Sequence, residues 1–201
     1  MSFRAPVVAM LSSLLLLTGT VALAGPAHAG GWTYDDEAGD VATTIVTETS
    51  ISTSVVPEQE NGDIVRVVAK HKARKVTIAV RVRTRLTGPF ALSSAIRTPG
   101  GRFLLMSTRI PGMGGTEMMD FKSKSEDPTV RCRGLKRTLN GDRTVIRISI
   151  PRSCLGNPRW FRFSVGLSTF NPFTGDSYDD DGLATAMTLF GLPVMSPKVK
   201  R

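Results

Sequence analysis

The sequence predicts an all-β fold: a single antiparallel sandwich, jelly-roll or immunoglobulin-like, of about nine strands. Three observations predict it. Apolar residues recur at every second position, turn residues interrupt the chain at near-regular spacing, and no stretch carries a convincing helical period. Val76, Ile78, Val80 and Val82 alternate with Thr77, Ala79, Arg81 and Arg83, which is the pattern of a strand with one buried and one solvated face. Ile146, Ile148 and Ile150 alternate with Arg147 and Ser149, and Phe161, Phe163, Val165 and Leu167 with Arg162, Ser164 and Gly166. Further β-rich runs are Thr43–Thr49, Ile64–Ala69, Phe90–Ile96, Phe103–Ile110, Glu117–Phe121 and Thr129–Cys132. Asn61-Gly62-Asp63, Gly88-Pro89, Pro99-Gly100-Gly101, Pro111-Gly112, Asn140-Gly141-Asp142 and Asn157-Pro158 supply the turns between them.

Composition agrees with one globular domain. The chain has 201 residues, 41% hydrophobic and 21% charged, which excludes a disordered or collagen-like chain. With 26 Lys and Arg against 17 Asp and Glu, its formal charge is +9. Two Cys and two His exclude a disulfide-dense scaffold and a Cys/His zinc cluster.

Residues 1–29 read as a signal peptide. Arg4 is the positive start, Val7–Leu23 the apolar centre, and Ala27-His28-Ala29 a small-residue cleavage site. No second apolar run is long enough to span a membrane. The expected product is therefore secreted, with no transmembrane segment after cleavage. It divides into an acidic N-terminal segment (30–42), the sandwich (43–195) and a frayed basic tail (196–201). Export makes a Cys132–Cys154 disulfide the expected pairing, and closing a loop of this size contributes roughly 3 kcal/mol. In one hairpin the alternation fixes a register. A three-residue Asn140-Gly141-Asp142 loop sets Cys132 opposite Ile150 and keeps arginines off the apolar face. A helical turn over Arg152–Leu155, closed by Gly156, follows. Gly112–Gly115 reads as a flexible link, and Leu183–Met195 as a last irregular strand or packed tail.

Several features then come in a set order. An Asp36-x-x-Gly39-Asp40 loop leads to Asp63-Ile64 opening a strand, a strand ending Lys70-His71, and Val76-Thr77-Ile78-Ala79-Val80. This order resembles the small secreted bacterial β-sandwich proteins related to the DOMON and family-9 carbohydrate-binding-module folds. The resemblance implies a sandwich that binds sugar or haem, often beside a catalytic domain. The chain departs from that pattern in its ligands. His71 is the sole His after the leader, with no Met paired to it, and Trp32 and Trp160 lie far apart in sequence.

Acidic residues crowd at Asp35, Asp36, Glu37 and Asp40, and again at Asp176, Asp179, Asp180 and Asp181. Solvated loops are the plain reading; the sharper one is a Ca²⁺ site built from Asp36, Asp40, Asp179 and Asp181, since hard oxygen ligands on Gly-containing loops suit that ion. Arg81, Arg83, Arg131 and Arg133 alternate outward, and Arg147 and Arg162 follow the same rule, either as ordinary solvation and guarding of strand edges or as a polyanion-binding band. For an exported protein the partners are wall polyanions or glycans. With aromatics at 6%, a base-stacking surface for nucleic acid is not expected. Trp32 and Trp160 are the candidates for a sugar platform. His71, in a cationic turn, makes a poor general base, so the expected function is non-catalytic binding at the cell envelope. The alternatives are a calcium-assisted carbohydrate-binding module and a small secreted hydrolase using the Asp clusters.

Overall fold

In a computed structural model that describes residues 30–46, 49–171, 175–184 and 193–201, the chain is an all-β sandwich. The expected leader, and the middle of the expected Leu183–Met195 segment, lie outside the described residues. The strands are β1 (Gly30–Asp35), β2 (Ala42–Val46), β3 (Ile51–Val55), β4 (Ile64–His71), β5 (Lys75–Val82), β6 (Phe90–Arg97) and β7 (Arg102–Ile110). They continue with β8 (Met113–Asp120), β9 (Lys136–Leu139), β10 (Val145–Pro151), β11 (Trp160–Phe163), β12 (Gly166–Phe170), β13 (Ser177–Asp181) and β14 (Val199–Lys200). None of the described residues forms a helix long and apolar enough to cross a membrane.

Two antiparallel sheets face each other. The first has the order β1-β4-β5-β10-β9. In the second, β6 carries β7 and then β8 on one side, while β12 and β11 share its other edge in succession. The sheet then extends through β13, β2 and β3 beyond β12, and through β14 beyond β11. The long alternating run from Phe161 is two strands because Ser164 interrupts it. Ser164 Oγ accepts the Ala95 N–H at 3.1 Å, and Ser94 Oγ donates to the Ser164 carbonyl at 2.6 Å.

The core lies where the alternation puts it. Val67, Ala69, Val76, Ile78, Val80, Ile146, Ile148 and Ile150 from the first sheet meet Phe90, Leu92, Ile96, Leu105, Met118, Phe161, Phe163 and Leu167 from the second. At about 25 cal/mol per Å² of apolar surface, this shared layer is the main stabilising term.

Strands are more numerous than expected, fourteen among the described residues. The N-terminal segment contributes a strand, β1, paired with β4 from Gly30↔His71 to Asp35↔Arg66. The tail is anchored, with Val199 buried opposite Phe161. Gly114 and Gly115 lie inside β8 rather than in a link; Gly112, with φ 75°, makes the turn before it. Thr129 forms a single bridge to Met119 instead of a strand.

The β9–β10 hairpin also differs from expectation. Its register pairs Ile146 with Leu139 and Ile148 with Arg137, so the loop covers 140–144. Asn140 Oδ1 holds it by accepting the N–H groups of Thr144 and Val145 at 2.8 and 2.9 Å. Arg137 therefore does stand with the apolar set. It is tolerated because β9 is an edge strand, where a long stem covers apolar surface while its head finds acceptors. Its guanidinium lies 5.3 Å over the Phe90 ring and donates to the Thr108 carbonyl at 2.6 Å. Cys132 precedes β9 and does not face Ile150. It pairs with Cys154 across 5.5 Å between Cα atoms, tying that connection to the 3₁₀ turn Arg152–Leu155, which Gly156 closes at φ 75°.

Candidate functional site

Two charged regions stand out, one on the surface and one inside. Outward residues of β4, β5 and β10 floor a shallow trough of about 400 Å³. Small or short side chains, Val68, Thr77, Ala79, Val145 and Ser149, form its middle. Arg66, Lys70, Lys72, Lys75, Arg81 and Arg147 surround them. Period-two alternation causes this: the residues that turn Val67, Ala69, Val80 and Ile148 inward turn these cations outward. Cross-strand pairing then brings Arg66 and Arg81 side by side, with Val145 beside Arg81. Asp35 on β1 answers Arg66 in an exposed ion pair.

Of the arginines expected in a band, Arg81 and Arg147 line this trough. Arg83 lies past the end of β5 and turns to Glu60 and Asp63, at 3.3 and 3.4 Å. Arg131 and Arg133 are exposed in the connection to β9. The trough's other cations include Arg66 and Lys70, exposed between the core residues of β4.

The tryptophans do not form one platform. Trp32 points inward from β1, stacked on Tyr34 at 5.9 Å and edge-on to Phe163 at 5.7 Å. Trp160, in the other sheet, is covered by Lys198 Nζ at 4.7 Å from the ring centroid. His71 is buried rather than exposed. Its Nδ1 stands 3.2 Å from the Val199 carbonyl, and burial lowers its pKa, helped by the charges of Arg152 and Arg201.

The second region is a carboxylate cluster at the other end of β4. Asp40, Asp63 and Asp180 are 6%, 0% and 2% exposed, and one oxygen from each lies within 4.8 Å of the others. Three segments deliver them: the loop between β1 and β2, the turn before β4, and β13. Asp63 Oδ2 accepts the Gly39 N–H at 2.8 Å, and Asp180 Oδ2 accepts the Ile64 N–H. The remaining oxygens, Oδ1 of Asp63 and of Asp180 and both of Asp40, have no hydrogen-bond partner.

Burying like charges together disfavours ionisation. Burial pushes Asp180 up to about 8, against the opposing Ile64 N–H. Asp36, beside the cluster, rises to about 8 through burial and then the charge of Asp40. Asp40 rises to about 6, burial leading, partly offset by the dipole of its own backbone N–H. Burial also raises Asp63 and Asp181.

Asp36 and Asp40 thus converge as the sequence grouping had them, but with Asp63 and Asp180. Alternation along β13 turns Asp180 inward and Asp179 to the opposite face, where Ser168 and Ser177 donate to it. Asp181 accepts the Leu183 N–H at 3.2 Å and lies near enough for its charge to raise Asp36 and Asp40. Burial that raises a carboxyl's pKa is also what a general acid needs, but Asp40, Asp63 and Asp180 are almost wholly covered by protein.

Comparison of the chain with protein-family models, with curated proteins and with solved structures returns no match.

Proposed function

We propose that the protein is a secreted binding module, not an enzyme, and that the outer face of its five-stranded sheet holds an anionic wall polymer. The observation that carries this reading is the trough: six cations around a floor of small side chains, with Arg66 in an exposed ion pair with Asp35. Solvated cations set at strand spacing attract a repeating polyanion from a distance, and the small floor lets the polymer backbone approach. Antiparallel strands about 4.8 Å apart space the cations in two dimensions, which suits a chain of phosphates better than one compact anion.

The test is retention on immobilised poly(glycerol phosphate). Binding is expected to fall steeply with salt, because exposed ionic contacts are screened. The charge reversal Arg81→Glu/Arg147→Glu is expected to weaken it about tenfold, roughly 1.4 kcal/mol. Arg131→Glu/Arg133→Glu makes the same change in net charge outside the trough and is expected to leave most of the binding. Equal losses in both variants, or preferential binding to anionic lipid vesicles, would overturn the proposal.

A further inference from the structure

We infer that Asp40, Asp63 and Asp180 form a Ca²⁺ site that clamps the two sheets together. This inference is independent of the polymer-binding face. Three observations lead to it.

The first is unpaired polarity. Asp40, Asp63 and Asp180 are all more than nine-tenths buried, and each keeps at least one carboxylate oxygen without a hydrogen-bond partner. Buried polar atoms in folded proteins are satisfied by protein, water or an ion, and an unpaired buried oxygen is costly. Here the three carboxylates that carry unpaired oxygens also bring one oxygen each within 4.8 Å of the others.

The second is geometry. Oxygens that share a Ca²⁺ at 2.3–2.6 Å stand no more than about 5 Å apart, even on opposite sides of the ion. The three carboxylate oxygens meet that bound, lying within 4.8 Å of one another. Mg²⁺ demands a strict octahedron and gives up its waters reluctantly, so a cage of protein carboxylates suits Ca²⁺ better.

The third is charge. Among the described residues, Arg83 is the cation paired with the cluster; it reaches Asp63 at 3.4 Å and is shared with Glu60. One shared guanidinium does not neutralise three carboxylates, with Asp36 and Asp181 close by. Protons would remove the charge. A divalent cation removes it and also coordinates the oxygens.

The ligands come from the β1–β2 loop, which passes from the first sheet to the second, from the turn opening β4 in the first, and from β13 in the second. A bound ion therefore joins the layers at the end of the sandwich where β4 begins. Hydrophobic packing holds the rest of the interface without it.

The experiment uses purified protein stripped with chelator. Calorimetric titration with CaCl₂ is expected to give one binding event per chain. Thermal melts in 2 mM CaCl₂ should lie several degrees above those in chelator, about 5 °C or more if the site is nearly saturated. MgCl₂ at the same concentration should give a smaller shift. Asp40→Asn is the variant of choice, because neither Asp40 oxygen has a hydrogen bond to lose. It should abolish the Ca²⁺ shift and, in chelator, melt no lower than the parent, since it removes one of several crowded charges. Asp179→Asn, on the other face of β13, should keep the full shift. If the parent shows no Ca²⁺ binding, or if Asp40→Asn retains the shift, the inference fails. Should Asp40→Asn not fold, the titration of the parent decides alone. Failure here leaves polymer retention unaffected, so the two proposals fall separately.

Discussion

The trough and the carboxylate cluster both belong to β4, and they treat charge in opposite ways. Outward from the strand, Arg66 and Lys70 stand in water, where like charges a few ångströms apart repel by about 1 kcal/mol or less. At its start, Asp63 is fully buried with Asp40 and Asp180, where the same repulsion is several times larger and hydration is lost. The cations need no partner to be stable, so their arrangement is free to serve an external one. The carboxylates cannot remain as charged, unpaired groups, so their arrangement demands something internal. Net charge draws attention to the first region; the stronger physical constraint lies in the second.

The largest expected effect breaks the second region through its backbone. Gly62, at φ 99°, makes the turn that delivers Asp63, and an added Cβ would sit 2.7 Å from Thr169 Cγ2. Gly62→Ala combines a conformation that L residues avoid with a steric clash. It should cost about 2–4 kcal/mol in chemical denaturation. Gly100→Ala, with open space around the Cβ and no positive φ, is the control and should change little. Equal, small effects would mean that the turn yields easily and that the cluster's geometry is soft.

His71 sharpens the comparison from the far end of β4, beside exposed Lys70. It is a buried base, so the sign reverses. Burial leads in holding its folded-state pKa below the ordinary value of 6.5. Between the two values the unfolded chain binds more protons than the folded one, so this contribution to stability is full above about 6.5 and is lost as pH falls through the folded value. His71→Gln should flatten the pH dependence of stability below 6.5, measured by denaturant midpoints at pH 4.5 to 7.5. Lys70→Gln should leave it unchanged. A His71 variant with the parent's slope would show that other groups carry it.

What was legible in the sequence follows from how local each signal is. Alternation in β5 and β10 is carried by β-branched residues on one face and polar or charged ones on the other, so the buried face could be read directly; in β4 a register shift between Ile64 and Arg66 breaks the pattern. β3 and β13 have polar stretches, Ser52-Thr53-Ser54 and Tyr178-Asp179-Asp180, where hydropathy does not mark a face. Missing β13 meant missing the inward turn of Asp180. Asp63 looked like part of an Asn-Gly-Asp turn, and only the fold brings it to Asp40. The disulfide was legible because two Cys in a chain expected to be exported leave one pairing. The hairpin register was not. The rule that keeps arginine off the apolar face does not hold at an edge strand, where Arg137 lies over Phe90 and reaches Thr108. Trp32 likewise reads as a platform residue until β1 is seen to be a paired strand with an inward face.

The smallest expected effect tests the exposed region. Arg81→Ala and Arg147→Ala lie in water on strands whose opposite faces fill the core. Truncating them removes no buried contact and relieves some repulsion between neighbouring cations. Each should shift the melting temperature by less than about 2 °C at physiological salt. In low salt the shift should move upward, because repulsion between Arg66 and Arg81 is then less screened. Polymer retention should fall in the same variants. That separation, lost binding with unchanged stability, is what a face arranged for an external partner requires. A destabilisation as large as that of Gly62→Ala would mean that these arginines serve the fold, and the trough would then be a by-product of packing.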